Sequence, residues 1–317
     1  MKCLVTGGAG FIGSHIISRL LEKGYQAVCL DNFDPTYDIT TKKGNIAPFL
    51  KNNNFELVEG DVRDRNLLKD IVRDIDYIFH EAALVSVVES MKDPVKTIEM
   101  NTIGSFNILD AALSGNVKKV ILASSAAIYG DSPVLPKKES MVPVPKSPYA
   151  ISKLDGEYAA RIYYEEHGLK TTSLRYFNVY GPRQDPTSPY AAAIPIFIQK
   201  ALKDENILIY GDGMQTRDFV HVNDVVRANE LVMSKGDGKT FNVANGIATS
   251  INEIAQQIIK QTDSRSRIIH AKERSGDIKH SVADITEISN IGFKPKYTMK
   301  EGLKNTVEWF RSIHIRI

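Results

Sequence analysis

The chain has 317 residues, of which 43% are hydrophobic and 25% are charged, and its formal net charge is +2. This is the composition of an ordinary globular protein, and so small a net charge argues against a nucleic-acid or membrane-surface partner. Met1 leads almost directly into the first predicted strand and no apolar run could span a bilayer, so we expect no signal peptide and no membrane segment. Only Cys3 and Cys29 occur, both in predicted strands, so we expect no disulfide, no metal site and a cytoplasmic location.

Residues 2–31 carry the pattern of one β-α-β unit. The apolar run 2–6 predicts a buried strand, and the segment GGAGFIG at 7–13 predicts a glycine-rich turn. Apolar residues at helical spacing over 14–23 predict a helix, and residues 26–30 predict a second strand that ends on Asp31. The strand, turn, helix and terminal acid follow the order of a dinucleotide-binding motif. We therefore prefer dinucleotide binding to the alternative that the glycines only form a tight turn.

The parts of this motif have separate physical roles. Without a Cβ, Gly8 and Gly10 would let the backbone pass close under a pyrophosphate, whose charge would meet the positive end of the following helix. Gly13 would let that helix pack tightly. A carboxylate at Asp31 can accept hydrogen bonds from both ribose hydroxyls of an adenosine and would repel a 2′-phosphate, so we predict NAD rather than NADP as the cofactor.

The alternation of strands and helices continues to about residue 175. Strands are predicted at 55–59, 76–80, 117–123 and 170–174, and helices after residue 64, over 94–112 and over 149–166. We expect Lys42 and Lys43 to be solvated loop charges. The alternation predicts a Rossmann-type, doubly wound parallel α/β sheet. Its carboxyl edge would bring together Gly10, Asp31, Asp61, Ala82 and Ser125.

Beyond about residue 176 the alternation loosens, which predicts a smaller C-terminal α/β lobe. Helices are predicted at 191–202, 224–233, 251–259 and 300–310, and extended segments at 216–222 and 240–243. We therefore divide the chain into a cofactor-binding Rossmann domain at 1–175, with returning segments at about 216–245, and a substrate-binding lobe at 176–317.

Tyr149 and Lys153 form the clearest catalytic pattern. A spacing of four residues places both side chains on one face of the predicted helix. A tyrosine has a pKa near ~10, and a neighbouring lysine cation together with a positive nicotinamide would favour its phenolate, which could take a proton from a sugar hydroxyl. Alone, the pair could equally be an exposed tyrosine beside a solvated lysine. It gains weight because the preceding strand ends on Ser125, which could hydrogen-bond the same reacting oxygen.

Eight segments together resemble a known family. They are residues 6–15, 31–32, 61–62, 125–130 (SAAIYG), 147–153 (SPYAISK), 175–178 (RYFN), 215–222 (QTRDFVHV) and 274–277 (RSGD). In this order they are similar to the extended short-chain dehydrogenase/reductase superfamily, and specifically to its nucleotide-sugar 4-epimerases for UDP-glucose or UDP-N-acetylglucosamine. The resemblance covers essentially the whole chain.

The resemblance implies a role for each matching position. Catalysis would fall to Ser125, Tyr149 and Lys153. The implied cofactor-binding residues are Gly7, Gly10, Phe11, Ile12, Gly13, Asp31, Asn32, Asp61, Val62, Ala82, Ala83, Asn101, Tyr149, Lys153 and Phe177. The implied substrate-binding residues are Ser125, Tyr149, Asn178, Arg217, Arg274, Asp277 and Ser281. Without the resemblance, Arg217 could equally pair with Asp218, and Arg274 could equally be a solvated charge.

The reaction is narrowed by residues that are absent. The related 4,6-dehydratases carry an acidic pair directly after the catalytic serine or threonine, where this chain has Ala126 and Ala127. Decarboxylating relatives place a glutamate in the same stretch, where this chain has Ile128. The reaction that these residues still allow is oxidation and re-reduction at C4 of a UDP-sugar, with NAD regenerated in each turnover.

Substrate size would depend on Ser281. In the family this position lies beside the C2 substituent of the sugar, and relatives restricted to glucose carry a tyrosine there. A serine leaves room for an N-acetyl group, so we expect UDP-N-acetylglucosamine and its C4 epimer as substrates in addition to UDP-glucose and UDP-galactose.

Two alternatives remain open from the sequence, and so does the oligomeric state. The chain could be an NAD(P)-dependent nucleotide-sugar dehydrogenase or reductase that releases its cofactor, or a non-catalytic NAD-binding scaffold. The family implies a homodimer through helices 94–112 and 149–166, although Ile103, Phe106 and Ile108 could equally face the protein's own sheet.

Overall fold

The computed structural model describes residues 1–35, 38–187, 192–273 and 279–314. In these ranges the strands are β1 (Lys2–Thr6), β2 (Gln26–Asp31), β3 (Phe55–Glu59), β4 (Tyr77–His80), β5 (Lys119–Ser125), β6 (Thr171–Tyr176), β7 (Asn178–Tyr180), β8 (Ile207–Tyr210), β9 (Thr216–His221), β10 (Lys239–Val243), β11 (Ala248–Ser250) and β12 (Ile268–Ala271). The helices are α1 (Phe11–Glu22), α2 (Ile39–Ile46), α3 (Arg65–Ile71), α4 (Val87–Lys92), α5 (Pro94–Ile98), α6 (Gly104–Ser114), α7 (Pro148–His167), α8 (Ala193–Leu202), α9 (Val222–Val232), α10 (Ile251–Thr262), α11 (Thr286–Asn290) and α12 (Met299–His314). Within the same ranges, no helix has both the length and the apolar character needed to cross a membrane.

Seven strands form one parallel sheet in the order β10-β6-β5-β4-β1-β2-β3. The register places Thr6 at the end of β1 opposite both Leu30 and His80. Ser125 at the end of β5 lies opposite Tyr176 at the end of β6. The carboxyl ends of the central strands therefore lie level along one edge. This sheet, with crossover helices between its strands, confirms the predicted Rossmann-type fold.

Both faces of the large sheet are buried, as is usual for parallel sheets. Leu4 and Val5 are neighbours on β1 but belong to opposite hydrophobic cores, because successive side chains of a strand point to opposite faces. Helices α1 and α9 cover the face of Val5. Helices α3, α6 and α7 cover the face of Leu4, and Ile108 of α6 is part of that core.

Two helices near the sheet edge differ from the predicted bounds. Helix α1 begins at Phe11, three residues before the predicted start, because Gly10, in an extended conformation, is its N-cap. The helix predicted at 94–112 is α5 and α6 joined by a π-helical segment, Glu99–Ile103. The π segment buries Met100 and Asn101.

The C-terminal lobe is built from short strands. Strands β7, β9 and β11 form one sheet with β9 in the middle, and β8 pairs with β12. Helices α8, α10 and α12 bury a separate core that includes Ile198, Ile254 and Leu303. Strand β10 returns to the large sheet, whereas β9 belongs to the small one. The sequence did not indicate β8, β11, β12 or α4, since none of them exceeds six residues and so short a segment shows no clear period.

Candidate active site

A cavity of about 400 Å³ runs along the carboxyl edge of the large sheet. It extends from the glycine turn after β1 to the first turn of α7. It is lined by most of the predicted cofactor residues, namely Gly7, Gly10, Phe11, Ile12, Gly13, Asp31, Asn32, Val62, Ala82, Ala83, Tyr149, Lys153 and Phe177. Ser125 lines the same cavity. Asp61 and Asn101 lie outside its wall.

The glycine turn forms one end of the cavity. Gly7 has φ +65°, a conformation that side chains with a Cβ rarely adopt. A Cβ at Gly13 would lie 2.4 Å from the carbonyl oxygen of Gly7, so α1 packs on this turn only because Gly13 has no side chain. A Cβ at Gly10 would meet only that same oxygen, at 3.1 Å, and Gly10 lines the cavity. The turn therefore leaves a cradle at the N-terminus of α1, where an anion is stabilised.

Gly8 does not have the role that the sequence suggested. A Cβ at this position would lie 2.7 Å from Sγ of Cys29 and 2.7 Å from Cδ1 of Ile17. These atoms belong to the hydrophobic core. Gly8 is therefore required for packing of the turn against the sheet, and Gly10 is the residue that faces the cavity.

Asp31 lies at the end of β2 with an almost fully buried side chain. Its carboxylate accepts hydrogen bonds from the backbone N–H groups of Ala9 (3.1 Å) and Phe33 (2.9 Å). The ammonium group of Lys42 lies 3.0 Å from Oδ1 and is also buried, so the expectation that Lys42 is solvated was wrong. Helix α2 carries this lysine back to the strand end, an approach that the local sequence does not encode.

Asn32, Asp61 and Val62 lie together beyond the end of β2. The side-chain amide of Asn32 donates to Oδ2 of Asp61 over 2.9 Å. The guanidinium of Arg63 forks onto both carboxylate oxygens, and these bonds lower the pKa of Asp61 to about 2. Asp61 thus orients Asn32, which faces the cavity, while Val62 supplies an apolar wall.

Asn101 lies outside the cavity and connects the cavity wall to α7. Its Oδ1 accepts from the N–H of Leu84, and its Nδ2 donates to the carbonyl of Leu84 and to Oγ of Ser152. Leu84 itself lines the cavity. The side chain of Asn101 therefore fixes the loop after β4 against the helix that carries Tyr149.

Ser125, Tyr149 and Lys153 meet at the other end of the cavity. Pro148 begins α7, and Oγ of Ser147 caps it by accepting from the N–H of Ala150, so Tyr149 lies in the first turn. The side chains of Ser125 and Tyr149 line the same end of the cavity. Nζ of Lys153 donates to the carbonyl of residue 123 over 2.8 Å and lies 5.9 Å from the centre of the Tyr149 ring.

Burial dominates the electrostatics of this group. It raises the pKa of the Tyr149 phenol above its ordinary value, and the neighbouring Ser125 side chain acts in the opposite direction. Burial lowers the pKa of the Lys153 ammonium to about 8. The protein alone therefore holds Tyr149 neutral, and an additional positive charge in the cavity is what would favour the phenolate.

Glu81 also lines this end of the cavity and was not identified from the sequence. It directly follows His80, the last residue of β4. Its Oε1 accepts a hydrogen bond of 2.8 Å from the hydroxyl of Tyr176 at the end of β6. The hydroxyl of Tyr176 accepts in turn from Nδ2 of Asn229 on α9, also at 2.8 Å. In the sequence, Glu81 belongs to none of the recognised motifs. Only its position next to Ala82, a predicted cofactor-binding residue, pointed to the site.

A buried ion pair anchors α7 to the sheet. Glu157 lies four residues after Lys153 on the same face of the helix, and both of its oxygens accept from the guanidinium of Arg175 on β6 (2.9 and 2.7 Å). Oγ of Ser124 on β5 donates to the same carboxylate. The ion pair therefore ties α7 to β6, and the Ser124 bond ties the same helix to β5, the strand that carries Ser125.

The predicted substrate residues of the second lobe lie on neighbouring segments. Nδ2 of Asn178 on β7 donates to the carbonyl of Asp218 on β9 (3.3 Å), and the N–H of Ser281 donates to the carbonyl of Thr216 (3.1 Å). Arg217 lies between these two contacts on β9. The structure thus brings Asn178, Arg217 and Ser281 together, although they do not line the cavity. Arg274 and Asp277 lie outside the described residues.

The Asp218 carboxylate holds this part of the lobe together. Its oxygens accept from the backbone N–H groups of Asn245 (2.8 Å), Gly246 (3.0 Å) and Ala283 (3.1 Å). Burial raises the pKa of Asp218 to about 6, against the lowering effect of these bonds. The sequence had offered Asp218 only as a surface partner for Arg217, but it is fully buried.

The chain matches known proteins over nearly its whole length. The model of the NAD dependent epimerase/dehydratase family matches residues 3–244. The UDP-glucose 4-epimerase of Thermotoga maritima, crystallised with UDP-glucose, is 39% identical, with a TM-score of 0.92 and coverage of 99% of this chain and 100% of that one. The UDP-N-acetylglucosamine 4-epimerase of Methanobrevibacter ruminantium, in complex with UDP-N-acetylmuramic acid, is 40% identical, with a TM-score of 0.91 and coverage of 98% of both chains. The UDP-glucose 4-epimerase of Thermus thermophilus, in complex with NAD, is 35% identical, with a TM-score of 0.87 and coverage of 98% and 99%. The chain therefore belongs to the NAD dependent epimerase/dehydratase family of extended short-chain dehydrogenases/reductases, and NAD is its cofactor.

Proposed function

We propose that the protein is a UDP-sugar 4-epimerase that inverts C4 through a transient 4-keto sugar while NAD stays bound. The observation that carries this proposal is the group of Ser125, Tyr149 and Lys153 at one end of the cavity, with alanines at 126 and 127. This group can move one proton at one sugar hydroxyl. It contains no acid directly after Ser125 that could eliminate water, as a dehydratase requires.

We propose that the cavity holds NAD along its length. We assign the pyrophosphate to the cradle at Gly10 and the first turn of α1, and the adenosine to the end that holds Asp31, Asn32 and Val62. The nicotinamide then falls to the end near Tyr149 and Phe177. NAD supplies the hydride acceptor and donor, and all proton transfer falls to the protein's own side chains.

Tyr149 is the proposed acid and base. Its phenolate would remove the proton of the C4 hydroxyl, and its phenol would return that proton after the sugar presents its other face. Ser125 lines the cavity beside Tyr149, and we propose that its Oγ bonds the same sugar oxygen. Lys153 contributes a positive charge 5.9 Å from the Tyr149 ring, which stabilises the phenolate.

The second lobe would hold the UDP moiety and leave the sugar free to turn. We propose that Asn178, Arg217, Arg274 and Asp277 bind the nucleoside diphosphate, since guanidinium groups bind diphosphates well. Tight binding of the nucleotide and weak binding of the sugar suit this reaction, because the keto sugar must present both of its faces to the nicotinamide.

We further propose that the enzyme accepts acetamido sugars. Ser281 is a small, partly exposed residue whose backbone bond to Thr216 places it beside Arg217. A serine leaves room for an N-acetyl group at C2 of a sugar held by Arg217. The related protein from Methanobrevibacter ruminantium, itself a UDP-N-acetylglucosamine 4-epimerase, supports this substrate class.

The test is incubation of the purified protein with UDP-glucose, UDP-galactose and the two N-acetylhexosamine counterparts, without added NAD. We expect each sugar to reach an equilibrium mixture of C4 epimers, identified by NMR of the products. A requirement for stoichiometric added NAD(P), with a net oxidised or reduced product, would identify a dehydrogenase or reductase. Bound NAD without any turnover would identify a non-catalytic scaffold.

The protein is also a proposed homodimer. Helices α5, α6 and α7, with the π segment, leave Val95 (65%), Ile103 (49%), Phe106 (39%) and Ile162 (50%) exposed, whereas Ile108 is buried against the protein's own sheet. So much exposed apolar surface on packed helices is typical of an interface. A second copy of the same face is the proposed partner.

A further inference from the structure

The carboxylate of Glu81 is a partly buried group that the proposed mechanism does not use. It lines the cavity near Tyr149 and Lys153. Among the described residues it forms no ion pair within 4.0 Å. Lys153, whose charge acts on Glu81, donates instead to the carbonyl of residue 123. A carboxylate held in a cavity without an ion-pair partner is costly, so its presence calls for a positive charge from a ligand.

The position of Glu81 is set by a chain of hydrogen bonds. Tyr176 donates to Oε1, and Asn229 donates to the Tyr176 hydroxyl, each at 2.8 Å. Asn229 is buried on α9 and also donates to the carbonyl of Val225. The carboxylate is therefore held at the edge of the sheet between the glycine turn and the end of β5, and it cannot move away to solvent without breaking this chain.

We propose that Glu81 is the counter-charge for the nicotinamide end of the cavity, and that it makes the protein hold oxidised, positively charged NAD in preference to the neutral reduced form. The inference rests on the proposed placement of the nicotinamide beside Tyr149. It suits an enzyme with a resident cofactor, since a carboxylate that favours the oxidised form keeps the protein ready for the next sugar.

The titration of the neighbouring groups gives this preference a pH dependence. Burial raises the pKa of Glu81 to about 7, against the opposing effects of Tyr176 and Lys153. Burial holds Tyr149 and Tyr176 neutral and keeps His80 uncharged, with a pKa near 3. Between pH 6 and 8 only Glu81 and Lys153 change charge among these groups. Ionisation of Glu81 strengthens binding of the positive form, so the preference should rise with pH through about 7.

The test measures which cofactor form the protein holds, without any sugar. The protein is equilibrated with an excess of a defined NAD and NADH mixture, passed through a desalting column, and the bound ratio is read from absorbance at 340 and 260 nm. At pH 8 we expect Glu81→Gln to lower the NAD-to-NADH ratio about 10-fold, the size expected for one charge several ångströms from the ring. Glutamine keeps an oxygen acceptor for Tyr176.

Glu139→Gln is the matched control. Glu139 is a partly buried carboxylate that accepts from the N–H of Asn242, and it lies outside the cavity. This variant should retain the wild-type ratio. Since the Glu81 carboxylate raises the pKa of Lys153, the difference between the pH profiles of wild type and Glu81→Gln reports the Glu81 charge together with its effect on Lys153.

Two results would overturn the proposal. One is a bound ratio in Glu81→Gln within twofold of the wild-type ratio at pH 8. The other, which needs no variant, is a wild-type ratio that stays flat between pH 6 and pH 8. Neither measurement depends on epimerase activity, so failure of the proposed reaction would appear separately, in the sugar assay.

Discussion

Nζ of Lys42 lies 3.0 Å from Oδ1 of Asp31, and the two side chains are 10% and 3% exposed. The pair joins α2 to the end of β2 at the proposed adenosine end of the cavity. Removal of one partner of a buried pair leaves the other charge uncompensated, which costs much more than loss of a surface ion pair. The pair therefore links the stability of the fold to the shape of the cofactor site.

Lys42→Met should lower the free energy of unfolding by about 3 kcal/mol, because the Asp31 carboxylate would remain buried without its cation. NAD binding should weaken as well. Denaturant unfolding and retention of NAD through a desalting column measure the two effects. Lys43→Met is the control, since Lys43 is exposed on the same helix. Equal stability of the two variants would show that the ion pair contributes nothing.

Tyr149→Phe should lower epimerase turnover by a factor of about 10² to 10⁴, the usual contribution of a positioned acid–base group. Bound NAD should remain, since the ring is retained. The measurements are the rate of C4 inversion and the nicotinamide content of the purified variant. Tyr158→Phe, at an exposed position of the same helix, should leave both unchanged. Turnover of Tyr149→Phe close to the wild-type rate would exclude the proposed mechanism.

Ser281→Tyr should remove turnover of the N-acetylhexosamine substrates and spare UDP-glucose and UDP-galactose, because the larger side chain would fill the space beside the sugar's C2. The backbone bond from Ser281 to Thr216 is independent of the side chain and should persist. The measure is kcat/KM for each of the four sugars. Ser281→Ala, which adds no bulk, is expected to retain all four activities. An equal loss for both sugar classes in Ser281→Tyr would contradict the proposed size gate.

His80 should make the fold sensitive to acid. Its ring nitrogens bond Oγ1 of Thr6 (2.8 Å) and Oγ of Ser105 (3.1 Å), and burial lowers its pKa to about 3, whereas the unfolded chain binds the proton near pH ~6.5. The stability that neutral His80 contributes is complete above pH ~6.5. It falls by about 1.4 kcal/mol per pH unit as the pH drops from there toward the folded pKa.

His80→Gln should therefore flatten the fall in the free energy of unfolding between pH 6.5 and pH 4.5, whatever the variant's stability at neutral pH. Denaturant unfolding at several pH values gives the slope. His167→Gln should keep the wild-type slope, since His167 is exposed at the end of α7. A slope for His80→Gln equal to that of the wild type would show that His80 is not buried neutral.

The proposed dimer predicts a change of mass. Ile162→Glu places a charge in the exposed apolar face of α7 and should give a monomer in size-exclusion chromatography with light scattering, where the wild type gives twice the chain mass. Val142→Glu is the control, because Val142 is highly exposed but lies in the loop before α7. A wild-type chain that elutes as a monomer at micromolar concentration would end this proposal.

Local pattern was sufficient for the cofactor half of the fold. The strands β1 and β3 have the predicted bounds, and the glycine turn and Asp31 lie where the motif requires. These features depend on the spacing of apolar residues and on the backbone freedom of a few glycines. Both are properties of residues that are close together in the sequence. The four-residue spacing of Tyr149 and Lys153 is equally local, since one helix sets it.

The sequence by itself therefore determined the Rossmann unit, the choice of NAD and the helix face that carries Tyr149 and Lys153. Only the tertiary structure decided which charges share that site. Tyr176 bonds Glu81 across 95 positions of chain, Arg175 on β6 anchors Glu157 on α7, and Lys42 reaches Asp31 from another element. The physical reason is that a buried charge is tolerated or costly according to its neighbours in space, and the packing of strands and helices chooses those neighbours.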